Sequence, residues 1–144
     1  MATFGYEFNQ SIVLSQSLTH LTFGYKFNQL VDLPSSIVYL RLNCNNTSII
    51  DYLPSSIEEL VLGFYFNYNL ELNNLPNSIK KITFDQCCNY NKELNCLPSS
   101  VELLKLPYNY NHHILNIPKR LKKVICSKYY KFISDFSNIE VETD

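Results

Sequence analysis

A Leu-Pro step recurs along this chain at Leu33-Pro34, Leu53-Pro54, Leu75-Pro76 and Leu97-Pro98, and returns altered as Ile117-Pro118. Leu14-Ser15 is a degenerate earlier copy. From Ser15 onward the successive spacings are 19, 20, 22, 22 and 20 residues. Each step leads into a hydrophobic triplet: Leu18-Leu21-Phe23, Ile37-Leu40-Leu42, Ile57-Leu60-Leu62, Ile79-Ile82-Phe84, Val101-Leu104-Leu106 and Leu121-Val124-Cys126. Six unbroken copies at so short a period restrict the chain to a stack of like coils, each burying its apolar face against its neighbours.

Two local structures compete for the triplet. Ser55-x-x-Glu58 and Ser99-x-x-Glu102 resemble helix capping boxes, and Ile-x-x-Leu could open a helical stripe. The pattern closes on Leu-x-Leu, however, a period-two step, and Gly63 or its equivalent follows at once. A helix there would be too short to be stable, whereas a short strand turns Leu60 and Leu62 inward and Glu59 and Val61 outward. One such strand per 19–22-residue coil is the leucine-rich-repeat pattern. It predicts a β-rich, leucine-rich-repeat-like solenoid with a parallel sheet on its concave side and a mostly irregular convex side with little helix. The expected organisation is one domain over residues 1–144, with about six repeats over 3–126 and a cap over 127–144. The cap would end in an edge strand, Ile139-Glu-Val141-Glu.

The three glycines, Gly5, Gly24 and Gly63, share one position after the strand, with Asn43, Asp85, Pro107 and Ser127 standing there elsewhere. That series suggests a left-handed or tightly turned backbone, with Pro107 forcing one turn to differ. An aromatic-Asn step follows, at Phe8-Asn9, Phe27-Asn28 and Phe66-Asn67 and then Cys88-Asn89 and Tyr110-Asn111. The expected reading is an interior spine of Phe8, Phe27 and Phe66 beside a ladder of Asn9, Asn28, Asn67, Asn89 and Asn111.

The run from Leu21 to Leu30, Leu-Thr-Phe-Gly-Tyr-Lys-Phe-Asn-Gln-Leu, followed by Leu33-Pro-Ser-Ser-Ile37, resembles the FNIP repeat, a leucine-rich-repeat relative of roughly 22 residues. The third copy departs from it, with Asn45 and Asn46 in place of Phe-Asn. FNIP proteins often carry an F-box ahead of the repeats, and the resemblance implies substrate recognition for ubiquitin ligases. No F-box-like helical segment is read here, since the chain is already inside a repeat at Phe4. The partners implied are a ubiquitin-ligase substrate or a host protein.

Composition narrows the function further. A net charge of -1 gives no general attraction to nucleic acid or membrane, and no apolar run reaches spanning length. Charge is unevenly distributed: residues 1–72 hold two basic and six acidic side chains, residues 73–144 ten and seven. Five cysteines cannot all pair within one chain, and no secretory signal is seen. They read as reduced thiols in an intracellular, cytoplasmic protein. Neither the histidines, His20, His112 and His113, nor the cysteines show metal-ligand spacing, and no cofactor motif occurs. The outward strand positions form columns, and Tyr39, Arg41, Glu59, Val61, Lys81, Leu103, Lys105 and Lys123 make up the expected protein-docking face. The reading is a non-enzymatic protein-interaction module. The alternative is a structural protein, passive or self-associating as a homo-oligomer through its N-terminal edge.

Overall fold

Each triplet closes one coil. The computed structural model describes residues 1–66, 69 and 71–144. Eight strands follow one another in a single sheet whose order is the order of the chain: β1 (Ala2–Thr3), β2 (His20–Phe23), β3 (Tyr39–Leu42), β4 (Glu59–Leu62), β5 (Lys81–Phe84), β6 (Leu103–Lys105), β7 (Lys123–Cys126) and β8 (Glu140–Thr143). All neighbouring pairs are parallel, and Leu21, Leu40, Leu60, Ile82, Leu104 and Val124 stand in one register line. At about 4.8 Å per strand the stack is roughly 34 Å long. All eighteen triplet residues are buried, none more than 9% exposed. Period-two alternation places them on the core side and leaves the intervening positions for the other face.

Among the described residues, two β-turns complete each coil except the third, which lacks the one after its strand. Before the strand, the amide after the Ser pair donates to the proline carbonyl, as from Ile37 to Pro34 (3.1 Å) and Ile57 to Pro54 (3.3 Å). After it, the residue in the aromatic slot donates to the glycine position, as from Phe27 to Gly24 (3.4 Å) and Tyr110 to Pro107 (3.1 Å). The convex side carries a five-residue helix, α1 (Thr47–Asp51), in the third coil. A 3-10 helix, Ile133–Phe136, lies ahead of β8.

The polar ladder is made of serines. The second serine of each pair donates its hydroxyl to a carbonyl one coil back: Ser36 to Leu18 (2.7 Å), Ser56 to Ile37 (2.6 Å), Ser78 to Ile57 (2.6 Å) and Ser100 to Ile79 (2.7 Å). The asparagines expected there are exposed at Asn9, Asn28, Asn89 and Asn111, while Asn67 lies outside the described residues. Side chains alternate along the chain, so turning Phe27 inward turns Asn28 outward. Among the described residues an inter-coil rung forms at Asn9, whose Oδ1 accepts the Asn28 amide at 2.8 Å.

Phe27 and Phe66 are buried and Phe8 is half-buried. Phe8 stacks on Phe27 with ring centroids 6.1 Å apart, and Phe23 on Phe27 at 4.0 Å. The column changes character in the third coil, where Asn46 fills the slot, 5% exposed, and donates Nδ2 to the Gln29 carbonyl at 2.8 Å. Beyond it Phe66 meets Tyr90 at 6.2 Å, and Tyr110 leads through Tyr130 to Phe136 at 6.0 and 6.2 Å.

The glycine series has a cause other than the left-handed backbone its composition suggests. No residue described has positive φ. Gly24 and Gly63 answer instead to close approach between coils. A Cβ on Gly24 would overlap the Gly5 carbonyl, and one on Gly63 would overlap the Asn43 side chain. Pro107 therefore fits the same turn as its relatives, losing only the amide that Gly63 and Asp85 give to the preceding strand.

Candidate functional site

The face opposite the core is built from residues at and just before the strands. One register line runs His20, Tyr39, Glu59, Lys81, Leu103, Lys123 and Glu140, and another Thr22, Arg41, Val61, Thr83, Lys105, Ile125 and Glu142. All eight residues expected to dock a partner lie on these two lines.

Most of the charge there is already matched. Glu59 faces Lys81 at 3.6 Å, and just before the strands Glu58 pairs with Lys80 (2.9 Å) and Glu102 with Lys122 (2.6 Å). Lys123 meets Glu142 at 2.6 Å and Glu140 at 3.0 Å, and those bonds push its ammonium up from the usual lysine range, Glu142 contributing first. The Lys122 hydrogen bond likewise holds Glu102 below the ordinary carboxylate range.

Two pairs reach further. Arg41 on β3 passes over β4 to Asp85 beyond β5 at 2.5 Å, its Nε meanwhile donating to Asn43 at 3.2 Å. Lys105 on β6 reaches Asp144 beyond β8 at 2.7 Å. Bonds from Lys105 and then Gln86 hold Asp144 below the usual carboxylate range. Sequence reasoning placed Asn43 and Asp85 as turn formers and did not anticipate these contacts. Their acidity and amide character at the turn position was the available signal.

The uncharged members differ in access. Val61 is 5% exposed, while Tyr39 and Leu103 are half-buried with surface to offer. Tyr39 stacks against His20 with centroids 5.6 Å apart, which holds the ring in place. Tyr39 and Leu103 stand in line on either side of the Glu59–Lys81 pair.

The remaining reactive groups lie apart from this face. Cys44, Cys88 and Cys126 are buried, and burial pushes the Cys88 thiol up to about 11. Among the described residues no group of three or more His, Cys, Asp or Glu side chains could hold a metal ion. Within the same residues no helix is long and apolar enough to cross a membrane.

Comparison with known proteins agrees with this architecture. The FNIP Repeat family matches at residues 8–45 and 45–87. The crystal structure of CroV588, described as a novel circular LRR protein structure, superposes with a TM-score of 0.70 at 38% identity, covering 89% of this chain. The chain spans 20% of that protein's length. No curated protein matches. With more than half of its length matched, the chain belongs to the FNIP repeat family.

Proposed function

We propose that the protein is a non-enzymatic interaction module whose concave strand face docks a protein partner. The observation that carries this reading is the neutralisation of the face. Its charges are matched by one another, leaving Tyr39 and Leu103 as accessible uncharged anchors inside a paired, polar surround. Tyr is prominent among the anchors of protein interfaces, and the Glu59–Lys81 pair that lies between the two anchors brings no net charge to the contact. Within this reading Arg41, Glu59, Lys81, Lys105 and Lys123 set orientation and partner choice, and Val61 supports the floor. A ubiquitin-ligase substrate or a host protein remains the class of partner the family suggests.

The test is capture of partners from the native cell by the unaltered protein and two variants. One carries Tyr39→Ala with Leu103→Ala, the other alanine at Arg41, Glu59, Lys81 and Lys105. Loss of the same partners from both supports the assignment. If both folded variants capture the full set, the face is wrongly assigned.

A second reading is association of like copies. β1 and β8 each pair with one neighbour in the sheet, and the structural relative is circular. A head-to-tail contact that repeats around an axis closes a ring. Sedimentation over a hundredfold concentration range decides it: a mass that stays at one chain throughout excludes association.

A further inference from the structure

The turns that follow the strands make a second surface, along the rim where the strands end. In the first, second and fourth coils their tips are Tyr6-Glu7, Tyr25-Lys26 and Phe64-Tyr65. All four rings are open to solvent, Tyr6 48%, Tyr25 40%, Phe64 48% and Tyr65 39% exposed. They are also in mutual contact. Tyr25 meets Tyr65 with centroids 4.2 Å apart, Tyr6 meets Tyr25 at 4.9 Å, and Phe64 stands edge-on to Tyr65 at 4.6 Å. Tyr6 also stands edge-on to Tyr65 with centroids 5.8 Å apart, so the rings brace one another before any ligand arrives.

The third coil explains how rings two coils apart can touch. Its tip is Cys44-Asn45, with the thiol buried and Asn45 exposed. With no ring there, Tyr25 and Tyr65 close over the gap. Beside them lies an open depression of about 440 Å³ bounded by Tyr25, Lys26, Phe27, Asn28 and Asn45.

The chemistry of this rim is neutral. Glu7 and Lys26 are the only charged residues in the first four of these turns, and they bond to each other at 2.7 Å. A polyanion finds no unmatched cation here and an arginine-rich peptide no unmatched carboxylate. A sugar ring offers what the site lacks: C–H faces to lie on the aromatic rings, and hydroxyls to pair with amides, phenols and the ammonium. We propose that the rim formed by Tyr6, Tyr25, Phe64 and Tyr65, with Asn45 and Lys26 beside it, is a binding platform for neutral carbohydrate. It is separate from the strand face and does not depend on a protein docking there.

Affinity electrophoresis of the whole chain through gels containing neutral polysaccharides (mannan, galactomannan, xyloglucan, dextran) tests the proposal. Retardation by at least one is expected. The Tyr25→Ala/Tyr65→Ala variant, shown folded by circular dichroism, should lose at least tenfold in affinity, and Asn45→Ala several-fold. Tyr129→Ala, at the far end of the same edge, should bind as the unaltered protein does. Migration unaffected by all four polysaccharides overturns the proposal. So does retardation that survives the double substitution, or retention by heparin or a proline-rich peptide column with none by the neutral polymers.

Discussion

The serine ladder is the feature whose removal has the most calculable effect. Ser56 donates to the Ile37 carbonyl at 2.6 Å, and Ile37 is fully buried. Replacing Ser56 with alanine removes the hydroxyl and leaves that carbonyl without its donor. A typical intramolecular hydrogen bond contributes about 0.5–1.5 kcal/mol, but a buried acceptor stripped of its partner costs about 1–3 kcal/mol. Ser56→Ala should therefore destabilise by about 2 kcal/mol. In a chain of this size that corresponds to a fall in Tm of roughly 4–8 °C.

Its neighbour supplies the control. Ser55 has the same chemistry one residue earlier but is exposed, so Ser55→Ala should stay within about 0.5 kcal/mol. The ladder also predicts how substitutions combine. Ser36 and Ser78 sit two coils apart, roughly 10 Å, and their alanine variants should add. Ser56 and Ser78 occupy adjacent coils and should show coupling. Thermal unfolding followed by circular dichroism measures all of these. Equal melting temperatures for Ser55→Ala and Ser56→Ala would refute the reasoning.

Phe66, 1% exposed, should cost about 3–5 kcal/mol as alanine, and a thermal shift below one degree would contradict its place in the interior column. Gly63→Ala should destabilise by about 1–3 kcal/mol through overpacking against Asn43, and pairing it with Asn43→Ala should recover part of the loss; failure of that rescue in a melt would argue against the steric account. A thiol reagent should label Cys87 and Cys96 rapidly in the native protein and all five cysteines after denaturation, and fast labelling of Cys88 would conflict with its burial. Glu102 and Asp144 are held below their ordinary range in the fold, so their contribution is present above the unfolded carboxylate value and lost as pH falls through the folded one. Acid titration should thus lower Tm below about pH 4, and Lys105→Met with Lys122→Met should flatten that dependence.

The repeated side of the structure was legible because one pattern specified it. Ile57, Leu60 and Leu62 could be read as inward from the period-two step alone, and every relative falls in the same register. The role of the serines was harder to see, since Ser55-x-x-Glu58 has the form of a helix cap. The signal lay in which serine persists. The second is present at Ser36, Ser56, Ser78 and Ser100, whereas the first gives way to Asn77. Pro107 carried a similar signal: a proline among Gly63, Asn43 and Asp85 already argues that none of those turns needs positive φ. The Arg41–Asp85 contact was not legible, because strand pairing considers neighbours and this guanidinium passes over one.

That contact bears on where recognition resides. Gly63 leaves room for the Asn43 side chain, Asn43 holds the Arg41 Nε, and Arg41 reaches Asp85. Four residues from three coils, with Asn43 and Asp85 standing where other copies carry glycine, serve one internal ion pair. Variation between copies is thus spent partly on the fold's own electrostatics, as it is again in Lys105–Asp144 and in Lys123 with Glu140 and Glu142. A charged residue at a variable position is weak evidence of a partner here, since most are already matched. An uncharged exposed one has no such internal explanation. On that reasoning Tyr39 and Leu103 on the strand face, and the rings of Tyr6, Tyr25, Phe64 and Tyr65 on the rim, are where a ligand would distinguish this chain from another built on the same coils.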